Sequence, residues 1–162
     1  MIKMNTKEFK KFFFLFNNQY KIKQAVKNIN DELEDIKLTS AENVYENLLP
    51  KVKGLKEEHL FALYLDAKGN LISCKLLTKG NINSTIIDGK LIFKWGYKLS
   101  ATAIILSHNH PSLDPTPSIQ DLKYTETIIK QAGIAGFIIL DHIIIGNGYY
   151  SMKKESKLFK MF

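Results

Sequence analysis

Short apolar runs separated by turn-forming residues fill the middle of the chain. His59 to Leu65 is an almost continuous apolar run, and Leu71 to Leu77 is a second run that follows it closely. The residues between them, Asp66–Ala67–Lys68–Gly69–Asn70, are typical of a tight loop. This pattern predicts a β-hairpin with a five-residue loop.

Apolar residues at three- and four-residue spacing predict four helical regions. In chain order these are residues 1–38, a short helix from Ser40 to Pro50, residues 88–99, and a helix from Pro117 or Ser118 to Gly133. The first region is rich in lysine and carries an aromatic stripe formed by Phe9, Phe12, Phe13, Phe16 and Tyr20. Five exposed aromatic side chains would favour aggregation, so we expect this stripe to pack on the rest of the domain or across a homodimer.

Further apolar runs predict additional strands in the second half of the chain. The run from Ala101 to Leu106 precedes the last predicted helix. Three short strands follow that helix, Ile134–Leu140, Ile143–Ile145 and, after a turn at Gly146–Asn147–Gly148, Tyr149–Ser151. This order indicates an α/β domain. We divide the chain into a helical N-terminal extension (1–38), one domain (39–155) and a basic tail (156–162), and we expect the chain to be mobile from Lys153.

Polar groups that could bind a metal follow the apolar run that ends at Leu106. His108 and His110 are two residues apart, so at the end of a strand both rings can face the same side. Asp121 would come from the first turn of the following helix. Two imidazoles and one carboxylate form a three-ligand catalytic zinc set that leaves the fourth position open. The competing interpretation is a loop His-x-His pair without metal, followed by a capping box of Ser118 and Asp121 at the start of the helix. Either Thr116 or Ser118 could be the N-cap.

These residues also carry a resemblance to a known family. The matching segments are His108–Asn109–His110–Pro111–Ser112, Pro117–Ser118, Asp121, and Leu140 to Gly146. Together they resemble the RadC-like branch of the JAB/MPN (JAMM) metalloprotease superfamily over about residues 40–155. The resemblance implies a single JAB/MPN-like domain of the cytidine-deaminase-like type, with a mixed β-sheet flanked by helices and one Zn²⁺ per chain.

The chain departs from the family pattern at three positions. Leu113 stands where the family usually has Gly, and Gly89 and Lys90 stand where it usually has Pro and Arg. None of these positions is a presumed metal ligand. The missing Arg bears only on roles that need a planar, bidentate cation.

The resemblance also implies the catalytic roles. A glutamate at the start of the first core strand is the general base, which corresponds to Glu58, with Glu57 as the second choice. Ser118 donates a hydrogen bond to the oxyanion, and the implied reaction is hydrolysis of a peptide or isopeptide bond in a protein or peptide substrate. Without the resemblance, Glu57 and Glu58 are typical of a charged loop before a strand. We assign His59 and His142 to structural roles, with Asp141 orienting His142 or capping a turn.

Composition adds an alternative function. The net charge is +7 and all 23 basic residues are lysines. Basicity favours acidic partners, including weak non-specific binding of nucleic acid, but the lack of arginine argues against base-specific recognition. The alternative is therefore a non-catalytic nucleic-acid-associated protein with a structural or vestigial metal site.

Cysteine content and hydropathy indicate the compartment. Cys74 is the one cysteine, which allows no internal disulfide, and no run approaches the ~20 apolar residues of a membrane span. We therefore expect a cytoplasmic protein that does not use a membrane, with Cys74 as a small packing residue.

Overall fold

The computed structural model describes Leu38, residues 40–80 and residues 89–160. The helices and strands are α1 (Ala41–Val52), β1 (His59–Leu65), β2 (Leu71–Lys79), α2 (Gly89–Lys98), β3 (Ala103–Asn109), α3 (Ile119–Ile134), β4 (Ile138–Gly146), β5 (Gly148–Ser151) and α4 (Met152–Glu155), followed by a 3-10 turn at Leu158–Lys160. The extension predicted as helical lies outside the described residues, except for Leu38, whose side chain is buried.

The five described strands form one mixed sheet in the order β2-β1-β3-β4-β5. The central pair β3 and β4 is parallel, and the other pairs are antiparallel. A parallel pair needs a crossover connection, and here α3 is that crossover. The end of β3 and the start of α3 therefore lie at the same edge of the sheet. The predicted α/β fold with a mixed sheet and flanking helices is confirmed.

Alternating side chains of the central strands fill two separate cores. On one face, Leu63 of β1 packs with residues of α1 such as Leu48. On the other face, Tyr64 packs with residues of α2 and α3, and its hydroxyl donates to the carbonyl of Ile92 at 3.0 Å. Each fully buried large apolar side chain contributes roughly 1.5–3 kcal/mol. The helices are thus held against both faces, and the site lies at an end of the strands between them.

Three predicted boundaries are wrong, the first two because of contacts with residues distant in sequence. α1 continues through Pro50 to Val52, which is buried in the first core. The two short strands predicted between Ile134 and Ile145 are one strand, β4, because its backbone pairs with β3 and β5. Residue 134 itself ends α3, and β4 begins only at Ile138.

The segment that begins at Lys153 is ordered as secondary structure. Met152 opens α4 with a fully buried side chain, and the backbone N–H of Lys153 donates to the carboxylate of Asp141 at 2.9 Å. Phe159, in the 3-10 turn, packs against the second core. The mobile tail expected from Lys153 is therefore wrong for the described residues up to 160. Across the described part of the chain, no helix has the length and hydrophobicity to cross a membrane.

Candidate metal centre

Three predicted ligands converge at the end of β3. His108 is the second-last residue of that strand, His110 is the first residue after it, and Asp121 lies in the first turn of α3. The two Nε2 atoms of the histidines are 3.0 Å apart. Oδ1 of Asp121 is 3.5 Å from Nε2 of His108, and its Oδ2 is 3.6 Å from Nε2 of His110. The tertiary structure thus brings together the set that the sequence predicted.

These distances fit a small tetrahedral ion. A tetrahedral zinc site with bonds of about 2.0–2.1 Å has donor atoms roughly 3.3–3.4 Å apart along each edge. The histidine nitrogens are 3.0 Å apart, and the Asp121 separations of 3.5 and 3.6 Å involve its two different oxygens. With one ligand atom taken from each residue, the three atoms lie within 4.8 Å of one another, so the group could hold one metal ion.

Ser118 orients the carboxylate of Asp121. Ser118 is the N-cap of α3, and its hydroxyl accepts from the backbone N–H of Asp121 at 3.1 Å. In return, Oδ2 of Asp121 accepts from the backbone N–H and the hydroxyl of Ser118, at 2.8 and 2.6 Å. The predicted capping box is present, with Asp in the position where Glu or Gln is more usual. Because this hydroxyl donates to Asp121, the oxyanion role of Ser118 stays a prediction.

A chain of buried hydrogen bonds continues from His108 away from the metal position. Its Nδ1 lies 2.9 Å from Nε2 of His142, and Nδ1 of His142 lies 2.6 Å from the hydroxyl of Thr125. That hydroxyl donates to the backbone carbonyl of Asp121 at 2.6 Å, so it can only accept from His142. His142 then accepts from Nδ1–H of His108, which leaves Nε2 of His108 unprotonated and able to bind a metal.

Sequence reasoning missed this chain. His142 was assigned a structural role, and Thr125 was not singled out. Thr125 follows Asp121 by four residues, so it lies on the same face of α3 as that ligand. That spacing could have identified Thr125, whereas the contact between His142 and His108 depends on the pairing of β3 with β4.

Burial keeps the two inner histidines neutral. Burial, followed by the neighbouring His142, lowers the pKa of His108 well below its ordinary 6.5. Burial also lowers the pKa of His142 to about 4. Burial disfavours ionisation of Asp121, but its pairing with His110 and its hydrogen bonds from Ser118 outweigh that effect and hold its pKa below the usual range. A neutral His108 and an ionised Asp121 are the forms of these two side chains that bind metal.

Glu58 directly precedes β1 and lies near the candidate ligands. Leu60 of β1 lies opposite His108 of β3, so the residues just before β1 lie next to the end of β3. Pairing with Asp121 is the main factor that raises the pKa of His110, and the nearby charge of Glu58 adds to the increase. Glu58 is half-buried, while Glu57 is exposed.

Asn109, between the two histidines, fixes the backbone on both sides of Glu58. Its side-chain oxygen accepts from the backbone N–H of His59 at 2.8 Å, and its side-chain N–H donates to the carbonyl of Glu57 at 3.1 Å. These bonds link the end of β3 to the residues before β1, where Glu58 lies. Asn109 is a further residue that sequence reasoning did not identify.

The remaining polar candidates have structural partners. Nδ1 of His59 lies 3.0 Å from the carbonyl of Glu57, and His59 is outside the group of converging ligands. Asp141 accepts from the backbone N–H of His142 and from the hydroxyl of Ser151, so it ties β4 to β5 and does not contact the His142 ring nitrogens. Burial raises the pKa of the Cys74 thiol, which disfavours a nucleophilic thiolate.

A mixed α/β sheet with two histidines and an aspartate converging at the end of its central strand defines a domain that could bind a metal ion. Residues 38–158 match the family described as the RadC-like JAB domain. The chain belongs to this RadC-like JAB domain family.

Curated relatives agree with this assignment. A UPF0758 protein of Methanococcoides burtonii is 44% identical over 120 residues, which cover 74% of this chain and 52% of that protein. A UPF0758 protein of Enterococcus faecalis is 41% identical over 121 residues, covering 74% and 52%. A third, from Alkaliphilus oremlandii, is 35% identical over 131 residues, covering 81% and 56%. The chain spans about half the length of the curated relatives it matches.

Proposed function

We propose that this protein is a zinc-dependent hydrolase of peptide or isopeptide bonds. The observation that carries the proposal is the grouping of His108, His110 and Asp121, with the charge of Glu58 near His110. Membership of the RadC-like JAB domain family supports a hydrolase. The names of the curated relatives state no activity, so the reaction and substrate rest on the chemistry of the site.

Zinc is the proposed metal because of the donor set. Two imidazole nitrogens and one carboxylate suit zinc, whereas magnesium and calcium prefer sites made only of oxygen. Three protein ligands would leave one position of a tetrahedral zinc ion for water or substrate, as in catalytic zinc sites. Bound there, zinc would act as a Lewis acid and lower the pKa of a water ligand toward ~7.

The chain's own residues then supply the proton transfers. Glu58 accepts a proton from the water that attacks the carbonyl carbon, and donates it to the amine as the carbon–nitrogen bond breaks. Asn109 holds the backbone around Glu58 so that its carboxylate stays beside the ligands. The hydroxyl of Ser118 turns from Asp121 to donate to the oxyanion of the tetrahedral intermediate.

Metal analysis together with a cleavage screen tests this function. Purified full-length protein is incubated with a mixture of unfolded proteins and with isopeptide-linked conjugates, with and without a chelator. We expect cleavage that the chelator abolishes and that added zinc restores. Zinc-loaded protein that cleaves neither kind of bond would contradict the proposal.

A second candidate is a non-catalytic nucleic-acid-associated protein, with the metal site structural or vestigial. The observation in its favour is the net charge of +7. Binding to generic duplex DNA that falls steeply with salt would support phosphate contacts. Such binding in a zinc-loaded protein without hydrolytic activity would favour this candidate over the first.

A further inference from the structure

A cavity of about 790 Å³ lies next to the candidate metal centre. It is bounded on one side by α1 and the loop after it, and on the other by the loop after β3 and the turn between β4 and β5. Its apolar walls include Tyr45, Leu49, Val52, Leu55, Leu113 and Ile145. His110 also lines it, so the cavity and the metal centre share a wall. Its volume is far above the ~30 Å³ that one water occupies in the liquid, and it can hold a large side chain.

Leu113, on the rim of this cavity, has a strained backbone. Its φ is 66°, in the left-handed region that normally favours glycine. Its backbone N–H donates to the carbonyl of His110 at 3.0 Å, and its carbonyl accepts from the N–H of Asn147 at 2.6 Å. A glycine would make both bonds without strain. The side chain is 61% exposed, so burial of the leucine does not offset the strain.

The loop is also fixed in position. A Cβ at Gly146 would collide with the backbone carbonyl of Leu113, so the loop lies directly against the β4–β5 turn. The leucine side chain is therefore held at the rim by backbone contacts that do not involve it. Strained residues with a fixed geometry are found most often at functional sites.

The charges around the cavity are positive. Lys53 and Lys56 line it, and among the described residues that form its wall there is no carboxylate. Both lysines are exposed, and they lie in the loop that follows α1. The rim therefore favours an anionic group next to whatever apolar group fills the cavity.

We propose that this cavity is a substrate subsite that takes a large apolar side chain followed by an acidic residue, and that Leu113 is its specificity-determining residue. The apolar side chain enters between Leu113 and the walls contributed by α1, and the acidic group faces Lys53 and Lys56. The scissile bond lies at the metal centre across the shared wall at His110. This inference rests on the proposed function, because it takes the occupant to be a polypeptide substrate.

Three hexapeptides that differ only at their central pair test the subsite: Leu–Asp, Ser–Asp and Leu–Asn. Binding is measured by calorimetry on the zinc-loaded full chain carrying Glu58→Gln, so that turnover does not contribute heat. We expect the Leu–Asp peptide to bind about tenfold more tightly than Ser–Asp, the effect of one buried leucine side chain. We also expect the Leu–Asp peptide to bind more tightly than Leu–Asn, because its carboxylate faces the two lysines. This second difference should disappear when Lys53→Gln and Lys56→Gln are combined.

Leu113→Gly separates a binding role from a structural one. The substitution should weaken binding of the Leu–Asp peptide about tenfold. It should also raise the melting temperature of the protein by roughly 2–4 °C, because glycine relieves the backbone strain. Leu113→Met, which keeps an apolar side chain, should retain the affinity. Equal binding of the Leu–Asp and Ser–Asp peptides, no binding of any of the three, or unchanged affinity in Leu113→Gly would each overturn the subsite.

Cleavage by the wild-type chain is scored separately from binding. Preferential binding of the Leu–Asp peptide without hydrolysis of any substrate would support the subsite and overturn the hydrolase. Hydrolysis that does not depend on Leu113 or on the central pair would support the hydrolase and overturn the subsite. The two proposals can therefore fail independently.

Discussion

Nδ1 of His108 lies 2.9 Å from Nε2 of His142, and both rings are almost completely buried. One of these histidines is a candidate ligand on β3, and the other comes from β4, 34 residues later in the chain. The hydroxyl of Thr125 determines which of the two rings donates the hydrogen bond. This hydroxyl donates to the backbone carbonyl of Asp121, so it must accept from Nδ1–H of His142, and Nε2 of His142 then accepts from His108. His142 thus orients a ligand without contacting the metal position itself.

Thr125→Val tests this positioning role. Valine keeps the shape of threonine but leaves the Nδ1–H of His142 without an acceptor. We expect zinc affinity to fall roughly 10–100-fold, the usual effect of losing a group that supports a ligand. Competition with a chromophoric chelator measures the affinity, and nitrogen NMR of the histidine rings reports the tautomer of His108. Thr125→Ser keeps the hydroxyl and should behave as wild type. Equal zinc affinity and unchanged tautomers in Thr125→Val would show that the chain of hydrogen bonds does not act on the metal.

Metal content tests the three ligands directly. We expect about one zinc per chain in purified protein, because His108, His110 and Asp121 form one group of converging donors. His108→Ala and Asp121→Ala should each release the metal, which elemental analysis measures. His59→Gln is the matched control, since His59 is buried but lies outside the group. Full zinc content in both alanine variants would refute the ligand assignment.

Glu58→Gln separates proton transfer from structure. Glutamine keeps the size of glutamate but cannot accept the proton, so the rate should fall roughly 10²–10⁴-fold while metal content stays near one equivalent. Turnover and elemental analysis are measured on the same preparation. Glu57→Gln is the matched control and should remain active, because Glu57 is exposed. An inactive Glu57→Gln beside an active Glu58→Gln would mean that the neighbouring residue is the base.

Asn109→Ala tests how Glu58 is held. The change removes the bonds to the backbone of Glu57 and His59 and leaves those groups unpaired, at a cost of about 1–3 kcal/mol in the free energy of unfolding. Because Glu58 lies between them, we expect kcat to fall about tenfold or more while zinc content is unchanged. Denaturant unfolding and steady-state kinetics give the two values. A stability loss without any change in kcat would limit Asn109 to a structural role.

Truncation tests the aromatic stripe of the N-terminal extension. Deleting residues 1–37 keeps Leu38, which is buried against the first core. If the stripe packs on the domain or across a homodimer, the shortened chain should have a lower melting temperature or lower solubility. Thermal unfolding and light scattering measure both. A shortened chain that is monomeric, soluble and equally stable would contradict packing of either kind.

Local patterns in the sequence were sufficient to predict the hairpin, the three candidate ligands and the capping box. The predicted strand His59–Leu65 matches β1, and the predicted five-residue loop precedes β2. The two-residue spacing of His108 and His110 follows the alternation of a strand, and the spacing of Ser118 and Asp121 follows the first turn of a helix. These features depend on residues within a few positions of each other, so the sequence contains the information directly.

Contacts between distant segments decided the rest. The His108–His142 contact depends on β3 lying beside β4, and the position of Glu58 near His110 depends on β1 pairing with β3. Neither pairing is encoded in local periodicity, because the partners are tens of residues apart and meet only when the sheet forms. The sequence by itself therefore determined which residues could bind a metal, and the tertiary structure decided which residues support them.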